Sequence, residues 1–253
     1  MNRFKLSLIV GFTLIINFGF AQNDTTTTED KSTSNNSILA DIHKFRIGVY
    51  GNAALSWMKP QNIAYTSQGS RLVAGWGVNF DYNFTENYTL NTGFGFRSYG
   101  GKLKYQSRLD SATIGIMERK YKIKYIDIPI NLKLKTNQIG YYTYFIQLGL
   151  NNGFRLKAAA DDNFVSATGT GSYTINDVGI LSTTKLYRLS FVAGIGAEYQ
   201  ISKSFGAIAM ISYNHGLVNV LDGVNSYDNN INENAIINML YRLTISDFLL
   251  FYG

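Results

Sequence analysis

An all-β transmembrane fold, an antiparallel up-and-down β-barrel of about eight strands, is what this 253-residue sequence predicts, and three observations predict it. In Arg71 to Phe84, Leu72, Ala74, Trp76, Val78, Phe80, Tyr82 and Phe84 share one parity, and Arg71, Gly75, Gly77, Asn79, Asp81 and Asn83 share the other. Successive strand side chains point to opposite faces, so one face is apolar with aromatic ends and the other is small, polar and charged. Similar stretches recur down the chain, each long enough to cross a bilayer as a tilted strand of roughly 9–11 residues. The connections between them alternate short and long, the rim asymmetry of outer-membrane barrels, in which the short turns face the periplasm.

The chain opens on a leader-like segment. Arg3 and Lys5 precede an almost wholly apolar run from Leu6 to Phe20, and Gly19-Phe20-Ala21 puts small residues at the two positions a signal peptidase inspects. Cleavage is expected between Ala21 and Gln22, giving a signal peptide over residues 1–21. A retained transmembrane helix is the competing reading, but the run is about 15 residues against the roughly 20 a span needs. Residues 22–43 are polar and low in complexity, with a threonine run at Thr25 to Thr28 and Ser34-Asn35-Asn36-Ser37. Such a segment buries too little apolar area to offset its ordering entropy, and a disordered periplasmic tail is expected. Residues 44–253 then form one barrel domain.

Composition fits export. The chain has no cysteine, which removes disulfides, a lipoprotein anchor and thiolate zinc sites. With 18 Tyr and 16 Phe against 2 Pro, it favours strands and aromatic girdles. The formal charge of +6 becomes +4 without Arg3 and Lys5. The remaining cations are dispersed and no aromatic-and-basic platform is present, so nucleic acid is not an expected partner.

Strands are expected at approximately Lys44 to Trp57, Arg71 to Phe84, Tyr88 to Tyr105, Arg119 to Lys135, Tyr141 to Lys157, Leu186 to Ile201, Ser204 to Val220 and Ala235 to Phe251. Long polar connections are expected at Met58 to Ser70, Gln106 to Glu118, Ala158 to Lys185 and Leu221 to Asn234, with short turns between. Parity assigns Ile126, Ile128, Ile130, Leu132 and Leu134 to lipid, and Tyr125, Asp127, Pro129, Asn131 and Lys133 to the interior. In the last strand it assigns Ile237, Met239, Tyr241, Leu243 and Ile245 to lipid, opposite Asn238, Arg242 and Thr244. Tyr82, Phe84, Tyr88, Tyr141, Tyr142, Tyr199 and Phe205 crowd the short-turn ends, where amphipathic rings settle at the headgroup level.

The inward set is charged. Arg46, Arg97, Arg155, Arg188 and Arg242 stand against Asp81, Asp127 and Glu198, and an eight-stranded interior is only wide enough to be filled by side chains. These groups are expected to pair and plug the lumen rather than line a channel. Pro129, which has no ladder donor, predicts a bulge near Asp127 to Pro129, with Asp127 accepting from Arg97 or Arg155.

The strand Tyr125-Ile126-Asp127-Ile128-Pro129-Ile130-Asn131-Leu132-Lys133 resembles the aromatic-x-acidic-Ile-Pro-x-x-x-Lys strand of the PorT-like outer-membrane barrel family. Val192-Ala193-Gly194-Ile195-Gly196-Ala197-Glu198-Tyr199 is similar to that family's glycine-rich strand. The resemblance implies an outer-membrane barrel of about eight strands, with some members linked to protein secretion and gliding machinery, and it implies no catalytic residue. The sequence departs from the pattern at its end, where Phe251-Tyr252-Gly253 finishes on glycine rather than an aromatic.

The function expected is therefore non-enzymatic: a PorT-like surface-binding or envelope- and secretion-associated structural component in the outer membrane of a Gram-negative bacterium. The expected partners are outer-membrane lipid, the barrel-assembly machinery and envelope or secretion-complex proteins, with no cofactor or metal. Tyr173 and Ile175, in the longest connection, are the candidate loop contacts. One alternative is a lipid-modifying enzyme of the PagP or PagL kind, using His215 at the outer rim with Ser212, Asp222 or Ser226. A further alternative is a small pore. His43 has a weaker claim to chemistry than His215. No phosphate loop, dinucleotide fingerprint or nucleophile elbow is present.

Overall fold

In the computed structural model the described residues are 44–110, 113–202, 205–228 and 230–249, with backbone alone from residue 240 onward. The leader, the polar tail and His43 lie outside them. Twelve strands form: β1 (Phe45–Pro60), β2 (Tyr65–Ser67), β3 (Arg71–Asn83), β4 (Tyr88–Arg108), β5 (Ile114–Lys135), β6 (Tyr142–Ser166), β7 (Tyr173–Gly179), β8 (Tyr187–Gln200), β9 (Gly206–Gly216), β10 (Gly223–Val224), β11 (Asn232–Glu233) and β12 (Ala235–Leu249). Eight of them, β1, β3, β4, β5, β6, β8, β9 and β12, run antiparallel in sequence order around a barrel, and β12 pairs β1 to close it. Closure satisfies backbone groups that hydrocarbon could not. Short β2 pairs the outer part of β4, β7 pairs β6, and β10 with β11 makes a separate hairpin.

Burial alternates along most of the barrel strands and is lost where their outer parts enclose an apolar core, as at Ala158 to Ala160 and Ala235 to Met239. On β5, Ile128, Ile130 and Leu132 are exposed, while Asp127, Pro129, Asn131 and Lys133 are buried. At the short-turn end Phe84, Tyr88, Tyr141, Tyr142, Tyr199 and Phe205 are exposed, and rings meet in pairs such as Tyr82 with Phe84 at 5.0 Å and Tyr142 with Tyr199 at 5.1 Å. Gly77 and Gly95 face inward because the Tyr50 ring fills the lumen between them: a Cβ on Gly77 would sit 2.7 Å from that ring.

Three strands are much longer than a span requires, β4 at 21 residues, β5 at 22 and β6 at 25. Their outer halves explain three differences from the sequence reading. First, the connections expected at Gln106 to Glu118 and from Ala158 onward are largely strand, because β4, β5 and β6 continue their ladders past the membrane as far as Arg108 opposite Ile114 and Gly115 opposite Ser166. Second, the outer third of the lumen is an apolar core. Tyr99, Leu103, Met117, Tyr121, Ile123 and Phe164 pack there with Ile237 and Met239. Third, these last two residues are buried, at 0% and 1% exposure, and do not face lipid. The reason is a bulge in β12: Ala53 pairs Leu243 while Ala54 pairs Tyr241, so Arg242 is an extra residue and the parity of the strand changes across it.

Pro129 acts differently from the expected bulge. The β4–β5 ladder pairs Thr92 with Ile130 and Gly95 with Asp127, skipping two pairs without a change of register. Gly93, opposite Pro129 in this register, has φ of +149°, and a Cβ there would lie 2.1 Å from the Val78 carbonyl oxygen. The missing proline donor therefore opens a short gap in the ladder. The register shift of β5 lies instead on its β6 side, between Lys124 and Tyr125.

Placing a charge on the exposed face near the middle of β5 tests the assignment of that face to lipid. Ile130→Lys is expected to destabilise the folded barrel by about 2–4 kcal/mol, measured by reversible denaturant unfolding in vesicles.

Candidate functional site

Three tiers of paired charge fill the lumen below the apolar core. Nearest the short turns, Glu198 accepts from Arg46 at 2.8 Å and pairs Lys135 at 3.1 Å. Above it, Asp81 is fully buried and pairs Lys133 at 2.7 Å, with Asn91 donating to its other oxygen at 2.6 Å. Above that, Asp127 accepts from the Tyr99 hydroxyl and from Asn151 at 3.0 Å, with Arg97 and Arg188 each at 3.5 Å. Arg188 is entirely buried and stacks on Tyr99, its guanidinium carbon 4.0 Å from the ring centroid. Removing one partner of such a buried group leaves a stranded charge, which costs about 3–5 kcal/mol.

The structure thus brings Arg46, Asp81, Arg97, Asp127, Arg188 and Glu198 into the lumen. Arg155 is not among them. Its Nη1 donates to the Leu181 carbonyl at 2.8 Å and to that of Thr184, tying down the segment between β7 and β8. Arg242 occupies the β12 bulge, and its side chain lies outside the described residues. The network expected from sequence lacks Lys133 and Lys135, although both carry the parity of Asp127. The cavity among Tyr50, Arg97, Asn131, Asn151 and Ser212 is about 50 Å³. That volume accommodates water molecules but not an aqueous passage.

At the outer rim Arg119 holds Asp162 through two bonds of 2.6 and 2.7 Å. Beside them the buried Glu233 carboxylate accepts from the Tyr65 hydroxyl at 3.2 Å, and Asn225 donates to that hydroxyl at 2.9 Å, fastening the β10–β11 hairpin over the core. Burial pushes the Glu233 carboxyl above its ordinary range, against the opposing pull of Arg119 and Tyr65. Tyr173 is half-buried and stacked on Phe164 at 5.4 Å, a packing residue of the β6–β7 hairpin, whereas Ile175 is exposed.

His215 does not assemble with the residues named beside it. Its ring lies 3.4 Å from the Tyr213 hydroxyl, Ser212 points into the lumen, Ser226 bonds Ser107 at 2.8 Å, and Asp222 lies 3.8 Å from Lys185. Among the described residues no three His, Cys, Asp or Glu side chains converge as a metal site.

A closed eight-stranded barrel with an apolar outward band and a filled lumen defines an integral membrane β-barrel. The chain belongs to the outer membrane protein beta-barrel domain family, whose model matches residues 20–222. None of the curated proteins matches it. Among solved structures, it is similar to Neisserial surface protein A at 11% identity and a TM-score of 0.42, covering 81% of this chain and 97% of that one. It is likewise similar to OprG from Pseudomonas aeruginosa, at 11% identity and 0.40, covering 83% and 95%. A third is Ail, the attachment invasion locus protein of Yersinia pestis, at 12% and 0.35, covering 82% and 99%.

Two measurements check this site. Planar-bilayer recordings of the refolded barrel should show no stable open conductance, since charge tiers and apolar core occlude the lumen in series. For Glu233, the folded pKa lies above the unfolded one, so its stabilising contribution is complete below the ordinary carboxylate range and is lost as pH rises through the raised value. Hydrogen-exchange protection of the β10–β11 hairpin, corrected for intrinsic rates, should therefore be greater at acid pH than at neutral pH, and Glu233→Gln should flatten the difference.

Proposed function

We propose that this protein is a non-enzymatic surface component of a Gram-negative outer membrane, of the PorT-like type, exported on a cleaved leader and inserted by the barrel-assembly machinery. It acts by binding an envelope or secretion-complex protein with its outer hairpins. A patch on those hairpins supports this reading. Ile114, Ile116 and Val165 are 37%, 42% and 52% exposed, and Ile116 pairs directly with Val165 across β5 and β6. Ile114 and Ile116 share the outward face of β5 with the lipid-exposed isoleucines but are separated from them by Glu118, Lys120, Lys122 and Lys124, and Val165 stands beside Ile116 on β6. Apolar side chains beyond such a polar stretch have no lipid to cover them, and an exposed apolar patch of this kind marks a protein contact.

The rigid strands beneath the patch favour a preformed recognition surface over a flexible loop. Neither the scattered surroundings of His215 nor the filled lumen favours the enzymatic or pore reading. A photo-crosslinker placed at Val165 in intact cells should capture a defined envelope protein, and one at the lipid-facing Ile130 should not. Ile116→Glu should abolish that capture while leaving barrel levels in the outer membrane unchanged. Equal capture from the two positions would refute the patch as the recognition element.

A further inference from the structure

Directly beneath that patch, the outward face of β4, β5 and β6 carries a band of cations. Lys102 and Lys104 on β4, Lys120, Lys122 and Lys124 on β5 and Lys157 on β6 all point away from the lumen, and the Arg71 guanidinium reaches in from β3 to the Tyr121 carbonyl at 3.2 Å. The carboxylates among them are few. Glu118 pairs Lys104 at 3.2 Å, and Asp161 and Asp177 hold Lys122 at 2.5 and 3.0 Å. Lys102, Lys120, Lys124 and Lys157 have no ion pair with any described residue.

The register makes this arrangement unfavourable on its own. Lys124 lies opposite Lys157, and Lys102 lies opposite Lys120, so two like-charge pairs face each other across neighbouring strands, the second of them partly offset by Asp161 on the other side of Lys120. Like charges directly opposite destabilise a sheet, and an external anion would reverse that cost. The position of the band indicates which anion. One step below Lys124 on β5, and below Gly100 and Ser98 on β4, the outward residues become Ile126 and Phe96, with Phe154 beside Ile126 on β6 and Ile128 and Ile130 beyond. The lysines thus stand at the level where hydrocarbon gives way to headgroups, on the rim that carries the long hairpins. A notch of about 230 Å³ opens at that level, lined by Arg71, Lys122, Lys124, Lys157 and one carboxylate, Asp177.

We infer that this band binds the phosphorylated sugar headgroup of the outer-leaflet glycolipid, with Lys120, Lys124 and Lys157 contacting its phosphates while the acyl chains lie on Phe96, Ile126 and Phe154. A diphosphorylated disaccharide offers two anionic groups to two lysine pairs, and its attached chains reach the apolar surface directly below. The inference is independent of the protein-contact patch, but it rests on the long hairpins lying outside.

The test uses the refolded full chain in neutral detergent with three probes: diphosphorylated lipid A, the same lipid stripped of both phosphates, and phosphatidylglycerol. Lipid A is expected to bind at least about tenfold more tightly than the other two, with the preference shrinking as salt is raised. The triple variant Lys120→Gln, Lys124→Gln, Lys157→Gln should lose that preference and retain heat-modifiable migration on gels, the sign that the barrel is still folded. Equal binding of the stripped lipid overturns the phosphate assignment. Equal binding of phosphatidylglycerol overturns the glycolipid, and an undiminished preference in the folded variant overturns the lysine band. Should the triple variant not fold, Lys120→Gln and Lys157→Gln are measured singly with the same readout. Protease accessibility of the long hairpins on whole cells tests the orientation separately.

Discussion

A hydrocarbon slab offers no water to an amide without a partner, so every strand of a membrane sheet must be flanked by another. The pairing of β12 with β1 meets that condition, and most other features derive from it. Closure into eight strands fixes a narrow interior, and a narrow interior forces inward side chains into contact. Where those side chains are charged they must neutralise one another. Asp81 with Lys133, and Asp127 between Arg97 and Arg188, are the outcome. Tyr50 shows the same pressure from its steric side, since Gly77 on β3 and Gly95 on β4 leave it room.

The barrel interior joins two different solutions to the filling problem. In the membrane half, polar groups are satisfied by one another. In the outer third, where β4, β5 and β6 extend beyond the apolar band, tyrosine, leucine, isoleucine and methionine pack as in a water-soluble core, and β10 and β11 cover the top. Asp127 sits close to the junction, bonded to Tyr99 and Asn151, with the aromatic stack of Arg188 alongside. The stacked guanidinium suits that place because its planar face contacts an aromatic ring while its edges still donate.

Period-two alternation makes the membrane part legible in the sequence, because a lipid face tolerates few polar residues and so advertises itself. Ile126 to Lys133 can be assigned residue by residue on that basis. The strand ends outside the bilayer are harder to see. There polar residues outnumber apolar ones, so Gln106 to Glu118 and the segment from Ala158 onward resemble polar connections unless the inward Met117 and Phe164 are noticed. A bulge is harder still: one extra residue at Arg242 leaves composition unchanged while reversing parity on its two sides, and so alternation alone puts Ile237 and Met239 on the wrong face. Pro129 gives a true signal of a missing hydrogen bond, but its neighbour Gly93 allows the ladder to skip rather than bulge. Of the candidate site, the inward charges are visible as a set. Of their partners, Arg97 beside Asp127 is one of the two arginines the sequence offers, whereas the other, Arg155, reaches carbonyls in the chain before β8, a contact that no spacing encodes.

The exchange of apolar and polar faces between Lys124 and Ile126 also governs how the molecule floats. On β5 the outward residues change from ammonium to hydrocarbon within two positions, and β4 makes the same change between Lys102 and Phe96. Sinking by one strand repeat would draw Lys124 and Lys157 into the acyl layer, and rising by one would lift Ile126 and Phe154 into water. Either displacement is opposed on adjacent strands at once, so the barrel has a single preferred depth. The long hairpins are consequently held at a constant height above the bilayer, as a mast is by its waterline.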